Sequence, residues 1–438
     1  MLFFFNNLKT STLLGLVLLA GCGGADTPLA EGLDSALINN QCSVQGQNQF
    51  VFQVMQDVYY WNTELPMVDP NTFDSPESLL ESLRFRPLDN TFSTIRDAVT
   101  QSQFFSEGQT IGLGVTLVFD QFSALRIAEV VAGSPAQSGG LSRGDEILAI
   151  DGIAIADVIA GAGIGAALGA DEVGVPVQLT VRNLSGLEAV INLEKALITI
   201  ESVPVTAVFD VNGITVGYLN FKTFITPAFD DLDAAFASFR DANVQELILD
   251  IRYNGGGFVS VAEFLGNLVG GANTDGQVFS NRVFNANNAA RNVTSFFADE
   301  DNALDLTRLF VLTTGRTASA SEIVINSLLP YVDVVTIGGA TFGKPVGSIG
   351  FNFCDKTLNP ISFSTRNAND EGDYFDGIPV DCAVADDLSR PLGDPAEASI
   401  AVATNYIQTN TCTSSTKAGV EIPKLSSSDS LRSLHWVY

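Results

Sequence analysis

Thr317-Ala318-Ser319-Ala320-Ser321-Glu322 and, with its lysine 25 positions beyond Ser319, Phe342-Gly343-Lys344-Pro345 are the two stretches on which the reading of this chain turns. The first follows an apolar run from Leu309 to Leu312 and opens another from Ile323 to Leu329, which reads as strand, turn and helix. A helix that starts at Ser319 offers unpaired N–H groups and the positive end of its dipole to developing negative charge. The same Ser-x-x-Glu spacing is also a capping box, and Ser321 is a second hydroxyl in the same turn. The chain has one histidine, His435, so a serine nucleophile here needs another base. Lys344 follows the apolar run Val332 to Ile337 in a glycine-bearing turn. Burial and a nearby helix N-terminus lower a lysine pKa, and a neutral amine can take a serine proton. An exposed turn lysine is the alternative.

A third element lies upstream. The apolar run Leu247 to Ile251 ends in Arg252-Tyr253-Asn254-Gly255-Gly256-Gly257. Glycines let a backbone approach a ligand closely, and their N–H groups, with that of Ala320, suit an oxyanion hole or an anion-binding nest. No Gly-Lys-Ser/Thr follows, which argues against a nucleotide-phosphate loop. Strands alternating with helices, including a Phe229, Leu232, Phe236 and Phe239 core stripe, predict an α/β unit over 201–412.

Residues 108–200 have a different character. Gly112-Leu113-Gly114-Val115 runs into a strand, Ser134-Pro135-Ala136 opens a short helix, and Arg143-Gly144-Asp145 leads through an apolar strand to an Asp151-Gly152 turn. This stretch resembles a PDZ domain. The resemblance implies that the Gly112–Val115 loop holds a peptide C-terminal carboxylate and that the peptide adds as a strand. Before it, residues 43–107 carry Phe50, Phe52, Val54, Val58, Tyr59 and Trp61 at helix-like spacing and predict a small helical module.

The order of these parts is specific. A PDZ-like stretch is followed by Gly217-Tyr218-Leu219-x-Phe221, then Asp250-Ile-Arg252-x-Asn254-x-Gly-Gly, then Thr-Ala-Ser-Ala-Ser-Glu, then Phe-Gly-Lys. It resembles the C-terminal processing, or tail-specific, serine peptidases over roughly residues 45–405. The resemblance implies a multidomain α/β protein: an N-terminal helical module, a PDZ domain and a crotonase-like peptidase core. It implies Ser319 as nucleophile, Lys344 as general base, and an oxyanion hole from the Ala320 amide and that of Gly255 or Gly256. Substrates would be proteins or peptides, unfolded or with apolar C-terminal tails. No cofactor and no metal are expected. Two positions depart from the pattern: Ser348 stands where many members have a lysine-orienting glutamine, and Pro345 replaces a common glycine. A non-catalytic PDZ peptide-binding lipoprotein is the competing reading.

The remaining features concern the setting. Lys9, the apolar Leu13 to Ala20 and the ending Leu19-Ala20-Gly21-Cys22 are similar to a bacterial lipoprotein signal. Residues 1–22 are therefore expected to be removed up to a lipidated Cys22, with 23–42 a tether and the protein in the cell envelope, outer membrane most of all. Attachment would be by the N-terminal lipid alone. A net charge of −28 argues against nucleic acid as a partner. Cys42, Cys354, Cys382 and Cys412 suggest two disulfides in an exported chain, for which three pairings exist. Cys354–Cys382 with Cys42–Cys412 is the expected one. Residues 413–438, Ser-rich, are expected to be mostly disordered.

Overall fold

The structure, a computed structural model, describes residues 42–412. The central sheet runs in the order Val205–Val211, Ile214–Asn220, Glu246–Asp250, Arg308–Thr313, Asp333–Gly338, Cys382–Ala383. The first pair is antiparallel and the remaining pairings are parallel. Because side chains alternate across a strand, its apolar runs serve two cores. Leu247, Leu249, Leu309 and Val311 pack under helices Ala228–Asp241, Val259–Gly270 and Ala320–Leu328. Ile248, Phe310, Leu312 and Ile337 face the opposite way, against Ile400, Ala403 and Ile407 of helix Ala398–Thr409. The stripe expected from sequence is core: Leu232, Phe236 and Phe239 are buried, and Phe229 packs on their rim.

Residues 115–194 form an antiparallel sheet in the order Val115–Phe119, Leu125–Val130, Glu146–Ile150, Pro176–Arg182, Glu188–Glu194. Asp151 and Gly152 both have positive φ, 48° and 77°. They join Ile150 to its antiparallel partner Ile153, as a two-residue hairpin requires. Val115–Phe119 is an edge strand, with one side unpaired. Leu113 and Val115 are buried, so what the Gly112–Val115 loop can offer a ligand is backbone.

The N-terminal segment does not keep a core of its own. Helix Val44–Val58 is capped by Ser43, and helix Pro76–Leu83 by a reciprocal Ser75/Ser78 box with proline in its first turn. Their buried faces, Val51, Val54, Met55, Val58, Leu79, Leu80 and Leu83, share one cluster with Val346, Phe351, Phe353, Leu358 and Ile361. Strand Thr94–Asp97 pairs antiparallel with Lys356–Asn359. The first helix ends at Val58, before the Tyr59-Trp61 turn. Its buried stripe is Val51, Val54/Met55 and Val58; Phe50 and Phe52 lie at the edge.

That packing corrects the expected disulfide pairing. The bridges are Cys42–Cys354 and Cys382–Cys412. Cys42 directly precedes the first helix, whose Phe50 stacks on Phe353 at 5.0 Å, so it meets the hairpin turn at Cys354. Cys382 is in the last strand of the central sheet, and Cys412 follows the helix lying on that face. Among the described residues no helix is long and apolar enough to cross a membrane. Cys22, expected to be lipidated, the expected tether up to residue 41, and the tail 413–438 with His435 lie outside the described residues.

A non-reducing peptide map should therefore recover Cys42 joined to Cys354 and Cys382 joined to Cys412. Cys354→Ser should lower unfolding stability by about 2–5 kcal/mol. A Cys42–Cys412 peptide would contradict the packing described.

Candidate active site

Three loops follow three neighbouring parallel strands of the central sheet, at their carboxyl ends. Asp250 is followed by the glycine loop, Thr313 by the turn that carries Ser319, and Gly338 by the loop that carries Lys344. The carboxyl edge of a parallel sheet is where such folds gather functional groups.

The serine turn is conformationally unusual. Ser319 has φ 59° and ψ −117°, a region that costs a non-glycine residue about 1–3 kcal/mol and persists only where surroundings enforce it. The enforcing contacts are explicit. Thr317 Oγ1 donates to Ile251 O at 2.8 Å, and the Ala318 amide donates to Asn254 O at 3.1 Å. On the other side the Phe342 amide donates to Thr317 O at 2.9 Å. Ser319 is half-buried, whereas Ser321 is buried and its Oγ donates to Asn254 O at 3.0 Å. Ser321 thus stitches the turn to the glycine loop, and Ser319 is the accessible hydroxyl of the pair.

Glu322 is buried, and its carboxylate accepts four hydrogen bonds. Oε2 takes the amides of Ser319 (2.9 Å) and Lys344 (2.8 Å). Oε1 takes the Gly343 amide (2.7 Å) and Thr341 Oγ1 (2.6 Å). Burial raises its pKa and the four donors oppose that shift. One carboxylate therefore joins the serine turn to the lysine loop. Gly343, at φ 94°, has Phe375 O 2.3 Å from where a Cβ would stand, so a side chain there would force the loop off the carboxylate.

The glycine loop closes on the same place. A Cβ on Gly256 would lie 2.8 Å from Ser319 Cβ and 2.9 Å from the Ala320 amide nitrogen. The Gly256 amide donates to Asn254 Oδ1 at 2.9 Å, while Asn254 Nδ2 holds Phe221 O at 3.0 Å. Among the described residues the amides of Gly255 and Ala320 donate to no protein acceptor. Upstream, Arg252 is 1 % exposed and sits among Asp250 (2.7 Å), Asp386 (2.9 Å) and Glu397 (2.9 Å). Arg143 of the 115–194 unit reaches Asp386 at 3.2 Å and Tyr253 Oη at 2.8 Å. The glycine loop is thus anchored from both units.

Two partly buried lysines come near these loops. Lys222 contacts Glu129 as an ion pair and donates to Thr116 Oγ1 at 2.6 Å, which engages it across the interface between the units. Lys344 keeps part of its surface accessible and has no ion pair among the described residues. Its Nζ lies 5.6 Å from the centroid of the Phe92 ring. Burial lowers its pKa to about 8, with Arg96 acting the same way and Asp89 and Glu322 opposing it. Ser348 is exposed. The sequence did not point to Asp89, Phe92, Asp386 or Glu397, which are distant in the chain. Only the Asn254 and Arg252 spacing within the glycine segment was a readable signal. No cluster suited to a metal ion occurs among the described residues.

Three family models match the chain: the peptidase S41 N-terminal domain over 46–94, the PDZ domain over 101–193, and peptidase family S41 over 215–384. A carboxy-terminal-processing protease of Bartonella bacilliformis is 28% identical over 248 residues, covering 55% of this chain and 53% of that protein. A carboxyl-terminal-processing protease of Synechocystis is 28% identical over 245 residues, covering 55% of each. The chain spans about half the length of these curated relatives. A solved structure described as an S41 protease of Bacteroides fragilis is similar with a TM-score of 0.68 and 27% identity, covering 83% of this chain and 97% of that one. The photosystem II D1 C-terminal processing protease shares the fold, with a TM-score of 0.51 and 18% identity over 78% of this chain and 93% of that one. The matched domains, their order and these relatives support one conclusion: the chain carries an S41 N-terminal domain, a PDZ domain and an S41 peptidase core, and is similar to the C-terminal processing peptidases.

Proposed function

We propose that the chain is a serine endopeptidase that cuts exported proteins, with Ser319 as nucleophile and Lys344 as general base. The observation that carries this reading is the Glu322 carboxylate, which binds the backbone amides of both residues at 2.9 and 2.8 Å. In the reaction, neutral Lys344 Nζ takes the Ser319 Oγ proton as Oγ bonds to the substrate carbonyl carbon. The carbonyl oxygen becomes an anion, and the Gly255 and Ala320 amides, which have no acceptor among the described residues, donate to it. The Lys344 ammonium then protonates the departing amine, and the acyl-enzyme remains. Water, deprotonated by the same lysine, attacks that ester; the acyl C–Oγ bond breaks, Ser319 Oγ takes the proton back from the Lys344 ammonium, and the new carboxyl terminus leaves.

Substrate selection is assigned to the PDZ domain. Its edge strand Val115–Phe119 can accept a peptide as an added strand, with the Gly112, Leu113, Gly114 and Val115 backbone facing the terminal carboxylate. Two disulfides support an exported chain, since such bonds persist in oxidising compartments. A lipid on Cys22 would anchor it to the cell envelope.

Ser319→Ala and Lys344→Ala should each abolish cleavage of an unfolded protein while leaving the thermal transition in place. For the parent, kcat/KM should rise with pH and level off above about 8, because the active form of Lys344 is the neutral one. Cleavage that survives either substitution contradicts the pairing. A folded parent that binds C-terminal peptides without cutting points to the peptide-binding lipoprotein instead. Glu322→Gln turns one acceptor oxygen into a donor facing N–H groups. It should lower stability by about 2–4 kcal/mol and kcat/KM by about 100-fold or more. Unchanged kinetics in that variant would remove Glu322 from the account.

A further inference from the structure

A lysine base needs its ammonium held as well as its backbone. The residue expected to do this, a glutamine four positions on, is here Ser348, which is exposed. What meets the Lys344 ammonium is instead an aromatic ring from the far end of the sequence. Phe92 presents its ring 5.6 Å from Nζ, and the same ring packs edge-on against Phe342, two residues before the lysine, at 6.0 Å.

Phe92 is itself fixed. Asp89 is buried and accepts the Phe92 amide (2.8 Å) and the Ser93 amide (3.0 Å) on Oδ1. Its Oδ2 accepts Ser93 Oγ (2.6 Å) and Tyr59 Oη (2.9 Å). Ser93 Oγ in turn accepts the Ile361 amide at 3.0 Å. Ile361 begins the strand that pairs with Val346–Ser348, directly after the lysine loop. A chain of hydrogen bonds therefore runs from Tyr59 through Asp89 and Ser93 to the strand flanking Lys344, with Phe92 carried on it.

We propose that Phe92 is the positioning residue of Lys344, and that the N-terminal segment, through the Asp89 network, supplies the orienting contact that Ser348 does not. This inference rests on the reading of Lys344 as the base. An aromatic face attracts an ammonium and leaves a neutral amine nearly indifferent. The ring thus steadies the cation formed in each half-reaction without competing for the proton. The charged groups around Nζ are Asp89 and Glu322, which favour the ammonium, and Arg96, which with burial favours the amine. Loss of the ring removes a contribution of the first kind, so the titration midpoint of Lys344 must fall.

The test is a carbon-13 NMR titration of the lysine ε-carbons in the folded protein, with the Lys344 signal assigned by Lys344→Arg. Cleavage kinetics are measured in parallel. Phe92→Leu keeps an apolar wall and removes the π face; Phe92→Met repeats the measurement if leucine unfolds the protein; Phe92→Tyr restores the face. The leucine variant should lower the Lys344 midpoint by about half to one pH unit. It should also lower kcat about tenfold or more at the plateau, with KM little changed. The tyrosine variant should return both, and the Lys222 signal should stay where it is. A Lys344 midpoint that is the same in parent and leucine variants overturns the inference, as does a kcat loss that tyrosine does not restore. The NMR arm needs no activity. A shifted midpoint in a protein without Ser319-dependent cleavage upholds the contact and removes the base assignment. An unshifted midpoint beside Ser319- and Lys344-dependent cleavage does the reverse.

Discussion

The buried Glu322 carboxylate is the interaction on which the arrangement of the site depends. An unpaired carboxylate in that position would be expelled or neutralised, since removing a charge from water costs several kcal/mol. Four donors from two chain segments, all within 2.9 Å, compensate it. The compensation has a structural consequence. Neither the serine turn nor the lysine loop can move without leaving a buried acceptor unsatisfied, so the two segments hold each other in register. The strained backbone at Ser319 persists because the same turn is pinned to Asn254, Ile251 and Phe342.

This division of labour explains why the site has three parts. The helix that starts at Ala320 supplies a dipole and a free amide, the glycine loop supplies close backbone approach, and the lysine loop supplies an amine whose pKa burial brings to about 8. Each part sits at the carboxyl end of a neighbouring parallel strand, so the sheet sets their spacing. The N-terminal segment and the PDZ unit, both upstream of the core in the chain, then reach the site at different places, by Phe92 on the lysine and by Arg143 on the anchor of the glycine loop.

Much of this was legible in the sequence because it is local. The Ser319 turn, the Lys344 turn, the glycine segment and the Asp151-Gly152 hairpin are short motifs whose backbone needs show in their residue types. Glu322 was legible only as a helix cap. That reading is correct as far as it goes: it does bind the Ser319 amide, but the other three donors come from residues 341–344. What escaped is non-local. The Cys42–Cys354 bridge and the contact of Phe92 with Lys344 each join positions far apart in the chain, and no periodicity encodes such a meeting. The segment 43–107 reads as a helical module because its helices are locally well capped, yet the buried face of its first two helices is completed by residues 346–361. Gly256 fits the glycine-loop pattern, but its amide is spent on Asn254, a choice made by the side chain two residues earlier.

The most direct test of the central claim is to treat the protein with a fluorophosphonate, which phosphonylates activated serines with loss of fluoride, and to locate the adduct by mass spectrometry. The account predicts a single adduct on Ser319. It should form faster as pH rises through about 8 and at least about 100-fold more slowly in Lys344→Ala. An adduct on Ser321, or one on Ser319 that forms at the same rate without Lys344, would contradict it.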